Sequence, residues 1–305
     1  MTDQENLQVQ QILFDIYSGI LFNNQTFADS GEKAEITYDF TCPEYKALIE
    51  KYGIDGIAGE GTAFERGVRL MHWMAPRLTH KGDYDNHVPV NAMALLDYSL
   101  EQPEHGINCP NKSKILTECC LALGIYARRV SILPYSPYDG DNHVVTEVYD
   151  GAMEKWIMLD PTTDGYFVDE AGAPLSLLEL RGKFSRQEFA TFVVCTEEKS
   201  DLRKLCDKHM EDNAYFCKNL FRLLVDSYNG FGNGELDLKF LPVGYDLKGN
   251  MILNAEYRIR RCPEGEEYNR KWIARINAQP EPVPLDPALL AAPPQQKKEG
   301  LPHEK

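Results

Sequence analysis

Several features are missing from the 305-residue sequence, and each gap narrows what the chain can be. Its eight cysteines follow no regular spacing, so they do not outline a disulfide framework. No apolar run approaches the length of a transmembrane helix. Basic residues are scarce: 32 Lys and Arg stand against 47 Asp and Glu, a formal charge of −15. A surface of that sign repels phosphate, which argues against nucleic acid and anionic membranes as partners. The opening MTDQENLQVQ has no basic segment and no cleavage site behind an apolar run. Together with unpaired thiols, this makes the cytoplasm the expected location. No Gly-Lys-Ser/Thr follows the glycine-rich Gly56 to Gly61, so that stretch is not a phosphate loop. It feeds Thr62, and Glu65 three positions on completes the capping box of a helix running through Trp73.

What the chain does have is concentrated between Gly106 and Thr163. Pro110, the helical spacing of Ile115, Leu116, Cys119, Cys120 and Leu123, and the stop at Gly124 predict a helix, with Asn108 as its N-cap and Cys109 at its start. Unpaired N–H groups at a helix start favour a thiolate, and the same turn can hold a tetrahedral oxyanion. IYARRVSIL reads as a strand, and His143 opens another, HVVTEVY. A hairpin through Asp150-Gly151 lays that strand beside Trp156 to Leu159, which brings His143 near Asp160. Cysteine, histidine and aspartate on successive elements are the parts of a nucleophile, its base and the group that orients the base. Singly, such a cysteine is more often a small buried apolar residue. It is the joint order that points to chemistry.

The residues Cys109, Gly124, Ala127-Arg128, His143, Glu147-Val148-Tyr149, Trp156 and Asp160-Pro161-Thr162 fall in a register that resembles the transglutaminase-like superfamily. The resemblance implies an α+β fold with a papain-like core, helices packed on an antiparallel sheet, and the nucleophile at a helix N-terminus. It implies Cys109 as nucleophile, His143 as base and Asp160 as orienter. The expected activity is acyl transfer on amide or peptide bonds, hydrolytic as in a peptidase or amidase, with protein or peptide as substrate. Gln102, Asn108 and Trp73 are the candidates for a side-chain oxyanion donor. No cofactor and no metal is expected. Two departures stand out: Pro110 directly follows the cysteine, and Val144-Val145-Thr146 follows the histidine where the family often carries an aromatic residue. They motivate the alternative, a catalytically silent protein-binding module on the same scaffold.

Around this centre, residues 1–30 are expected to hold an amphipathic helix and a loop, 31–278 the transglutaminase-like domain with a C-terminal helix and strand extension, and 279–305 a disordered proline-rich tail. AEITYDF is expected as a short strand, and helices over Pro43 to Tyr52 and Asn91 to Leu100. His72, Trp73 and Met74 are expected to pack, and the loop Lys81 to His87 to be solvated. A long helix is expected from Ser200 to Tyr228; Cys206, His209 and Cys217 within it lack a fourth ligand for zinc. A hairpin around Lys248-Gly249-Asn250 is expected after it, and EYNRKWIARI fits either strand or helix.

Overall fold

A computed structural model describes residues 3–102, 104–195, 202–232 and 234–295. Helix α1 (Asp3–Asn23) and the two-residue strand β1 (Thr37–Tyr38) come first. Then follow α2 (Glu44–Tyr52), α3 (Ile54–Ala58), α4 (Ala63–Met74), α5 (Ala92–Glu101) and α6 (Cys109–Ala122). The next strands are β2 (Ala127–Leu133), β3 (His143–Asp150), β4 (Lys155–Leu159) and β5 (Gly165–Val168). Helix α7 (Leu177–Ser185), β6 (Thr191–Val194) and α8 (Leu202–Asn219) lead to β7 (Arg222–Val225), β8 (Tyr228–Asn229) and β9 (Leu238–Phe240). The chain closes in α9 (Leu247–Arg261), α10 (Glu266–Ala278) and α11 (Ala288–Ala291).

This is a mixed α+β architecture around a five-stranded antiparallel sheet of order β4-β3-β2-β7-β9. The helix starts follow from side-chain caps. Thr62 and Glu65 form the reciprocal capping box of α4, and Asn91 accepts from the N–H of Ala94 to start α5. Helix α6 packs on β2 and β3, and α4 on β3 and β4. At Gly67 of α4 a Cβ would come within 3.0 Å of Leu159 and 3.4 Å of Val148, so a larger residue would press on the sheet here. The hairpin of β3 and β4 has the expected register, Asp150 opposite Lys155 and Thr146 opposite Leu159. Helix α1 finds its partner within the chain: Phe14 is fully buried, stacked on Phe189 at 4.4 Å and edge-on to Phe184 of α7 at 5.5 Å. Among the described residues, no helix is long and apolar enough to cross a membrane.

Three expectations differ from what is found. The helix expected to run to Tyr228 stops at Asn219, because Arg222–Val225 pairs with β2 inside the sheet. The hairpin expected around Lys248-Gly249-Asn250 is instead the first turn of α9. Asp246 caps that turn by accepting from the N–H of Gly249 at 2.7 Å, and Leu247 and Ala255 fall on one buried face. EYNRKWIARI lies in the helix α10. The segment 279–295, expected as disordered, is laid along the fold. Its prolines suit an extended path, while Leu285 and Leu290 supply two buried anchors. Positions 296–305 of that tail lie outside the described residues.

Charge is buried inside this fold with its partners. Arg128 meets Glu147 at 2.6 Å across β2 and β3, stacks over the Trp156 ring at 3.9 Å, and donates to the carbonyl of Leu290 at 2.6 Å. Glu147 also accepts from the N–H of Leu177 at 3.1 Å. Removing one member strands the other in a low-dielectric interior. Glu147→Leu alone is therefore expected to cost about 3–5 kcal/mol of stability in denaturant unfolding. The double variant Arg128→Met/Glu147→Leu is expected to cost less than that single substitution. Additive losses would show that the two residues act independently.

Candidate active site

The thiol is delivered by a short, strongly specified turn. Ile107 bridges to His80, with reciprocal backbone bonds from Lys81 to Ile107 (2.9 Å) and from Ile107 to Thr79 (3.0 Å). Gly106 allows this approach, since a Cβ there would sit 2.8 Å from the Lys81 side chain. Asn108 is extended and its side chain accepts from the N–H of Asn111, so α6 starts at Cys109 as its spacing predicts. Gly124, in the left-handed conformation at φ 74°, closes the same helix. Cys109 is 8% exposed. Pro110 has no N–H, and the N–H groups of Asn111 and Lys112 go to the Asn108 carbonyl. The N–H of Cys109, at the first position of the helix, has no partner within it.

His143 opens β3, opposite Ile132 of β2. Its Nε2 lies 2.9 Å from Oδ2 of Asp160, and the Cys109 side chain is near enough to the ring to help raise its pKa. Asp160, at the end of β4, has no exposed surface. The Thr162 N–H donates to its Oδ1 at 2.9 Å, and the Thr163 hydroxyl to its Oδ2 at 2.7 Å. Edge-on contacts from Tyr215 and Phe216 of α8, each with ring centroids 5.7 Å away, hold the imidazole in place. Cys109, His143 and Asp160 are thus brought together in one buried cluster.

The oxyanion candidates fare differently. Gln102 is exposed at the end of α5. Trp73 is engaged elsewhere, against Tyr52 and beneath Arg77. Asn108 adjoins the sulfur in the chain, but its side chain is committed: its oxygen caps α6 and its amide donates to Asn86 at 3.3 Å. His72, expected only to pack, is half exposed and bonds Asp164 at 2.9 Å. Asp85 and His87 of the Lys81 to His87 loop bond each other at 2.5 Å, and both are exposed. Cys217 is buried against Ser18 at 3.6 Å, while the side chains of Cys206 and His209 lie outside those described.

Sequence reasoning overlooked Lys112, three positions beyond Cys109 on the same helix face. It is 2% exposed, and burial lowers its pKa to about 8 against the opposing pull of Asp160, Asp164 and Cys109. His80 joins the same group of charges: burial, Lys112 and His143 lower its pKa, and Asp160 opposes them. The helical period alone would have placed Lys112 beside the sulfur. Nothing in the sequence signals His80, which arrives through a backbone bridge.

Burial of His143 disfavours its charge, but the Asp160 carboxylate and the hydrogen bonds to Asp160 and Cys109 outweigh it and raise the pKa to about 10. Burial likewise opposes ionisation of Asp160, and the charge on His143 and the donors around the carboxylate overcome it, so that pKa is lowered. The folded value for His143 exceeds its ordinary 6.5, so its stabilising contribution is complete below about pH 6.5 and lost as pH climbs through about 10. The stability difference between wild type and His143→Gln is accordingly expected to be largest at mildly acid pH and to shrink toward pH 10. Denaturant unfolding across that range measures it, and a difference independent of pH would refute the assignment.

No curated protein and no solved structure gives a significant match to the chain. A family model does match, over a span that includes Cys109, His143 and Asp160. Residues 51–161 match the model of the transglutaminase-like superfamily, and over that span the chain is similar to it.

Proposed function

We propose that the protein is a cysteine acyl-transfer enzyme with a papain-like core, acting on amide or peptide bonds and passing the acyl group to water. The observation that carries this reading is the meeting of Cys109, His143 and Asp160, with the sulfur at the first residue of a helix. Asp160 occupies Nε2 of the ring, which leaves Nδ1 for the sulfur. The His143 imidazolium and the neighbouring Lys112 ammonium surround the sulfur with positive charge, the setting in which a thiolate serves as nucleophile. The thiolate attacks the substrate carbonyl, and the Cys109 N–H faces the oxygen that becomes negative. As the intermediate collapses, His143 gives its proton to the departing amine and the acyl group stays on sulfur as a thioester. Neutral His143 then takes a proton from water, hydroxide adds to the thioester, and collapse releases the acid and restores the thiolate.

A second reading is favoured by one observation: Cys109 and His143 are only 8% and 5% exposed. A scaffold that keeps these residues but shuts them in would bind protein and catalyse nothing. Reactivity of the sulfur separates the two. At pH 6, iodoacetamide is expected to modify Cys109 faster than the exposed Cys262, with both followed by peptide mass spectrometry. His143→Gln and Asp160→Asn should each slow modification of Cys109 by at least ~10-fold while leaving Cys262 unchanged. A Cys109 slower than Cys262, and indifferent to both substitutions, would favour the silent module.

The acceptor is tested with a peptide thioester and added cadaverine. Hydrolysis is expected to yield only the free acid, and Cys109→Ala no product. A predominant cadaverine amide would reassign the enzyme to amine transfer.

A further inference from the structure

A cavity of about 370 Å³ opens where the β7 and β9 side of the sheet meets α9, α10 and the loop 134–142. Arg222 lines it from β7. The guanidinium lies 5.6 Å from the Tyr245 ring centroid, and its Nε is buried without a hydrogen-bond partner. Burial depresses its pKa, with only Tyr245 opposing. No carboxylate pairs with Arg222 among the described residues, and the same holds for Arg258 at the cavity rim. The acids in the lining are already engaged, since Asp139 and Asp141 lie 3.2 and 2.8 Å from Lys218. In a chain with a formal charge of −15, two arginines facing one cavity without a counter-ion are not explained by composition.

The rim adds flat apolar surface. Tyr268 and Trp272 of α10 are 68% and 36% exposed, and both line the opening. Aromatic side chains left in solvent beside unpaired guanidinium groups make a surface suited to a ring carrying negative charge. The cavity has the volume of a small-molecule site. It is also separate from the thiol. Arg222 pairs with Leu133 and His143 with Ile132, so alternation along β2 sends the two side chains to opposite faces of the sheet.

We propose that this cavity binds a small anionic molecule bearing a planar ring, with the anionic group on Arg222 and Arg258 and the ring against Trp272 and Tyr268. Phenyl phosphate and benzoate are the probes, titrated into the full chain by calorimetry. At least one is expected to bind saturably at a single site, with inorganic phosphate and phenol each at least ~10-fold weaker. Arg222→Gln and Arg258→Gln should each weaken binding by ~10-fold; Arg258 is exposed, so its variant reports on the site even if the Arg222 variant fails to fold. Trp272→Ala should weaken binding of the ring-bearing probe and leave inorganic phosphate unaffected. Cys109→Ala should bind like wild type, so this site stands or falls apart from the acyl-transfer reading. No saturable binding of either probe, affinity indifferent to Arg258→Gln, or loss of binding in Cys109→Ala would overturn the proposal.

Discussion

A carboxylate with no exposed surface is the constraint on which the site depends. Asp160 stays charged in the interior only because a ring nitrogen, a backbone N–H and a hydroxyl all point at it. Each donor comes with a structural condition. The ring requires β3 and β4 in their hairpin register, and the threonines require the tight return from Asp160 to Gly165, closed by backbone bonds of 2.8 and 3.2 Å. Satisfying this one group therefore fixes where the imidazole sits, and the imidazole in turn fixes what the start of α6 must present. Lys112 belongs to the same electrostatic cluster: its ammonium lies among Asp160, Asp164 and Cys109 and stays buried at the cost of a lowered pKa.

The features legible in the sequence were those set by neighbours in the chain. Asn108, Pro110 and Gly124 define a helix because capping and φ restriction act over a few residues, and Asp150-Gly151 marks a turn for the same reason. The positions of Cys109, His143 and Asp160 followed from those local signals combined with the family pattern. What failed were elements whose state depends on distant partners. Arg222–Val225 carries an apolar period compatible with the helix before it, and it is a strand only because β2 offers an unpaired edge. Lys248-Gly249-Asn250 has the composition of a turn, yet Asp246 caps it as a helix start and the buried Leu247 and Ala255 hold it there. Proline content suggested disorder after Gln279, but two leucines at suitable spacing are enough to bind an extended segment.

The cluster around Cys109 also contains groups that no motif announces. His80 reaches it through a bridge to Ile107, and Tyr215 through the packing of α8 on the imidazole. Such residues are brought in by the fold around the motif, so a family pattern can mark Cys109, His143 and Asp160 and still leave their surroundings unread. The cavity at the β7 and β9 side draws Arg222, Arg258, Tyr268 and Trp272 from beyond the matched span, 51–161, while Leu133 and the loop 134–142 come from within it.

The strap formed by 279–295 has a consequence for biosynthesis. Arg128 donates to the carbonyl of Leu290, and the Trp156 indole to that of Ala292 at 2.9 Å. Both donors lie within the span that matches the superfamily model, while both acceptors come more than a hundred residues later. A nascent chain that has emerged only as far as the aspartate thus presents a hairpin with open valences. Its final form has to wait until residues 279–295 have emerged, and that segment acts as the clasp that locks the earlier-made centre.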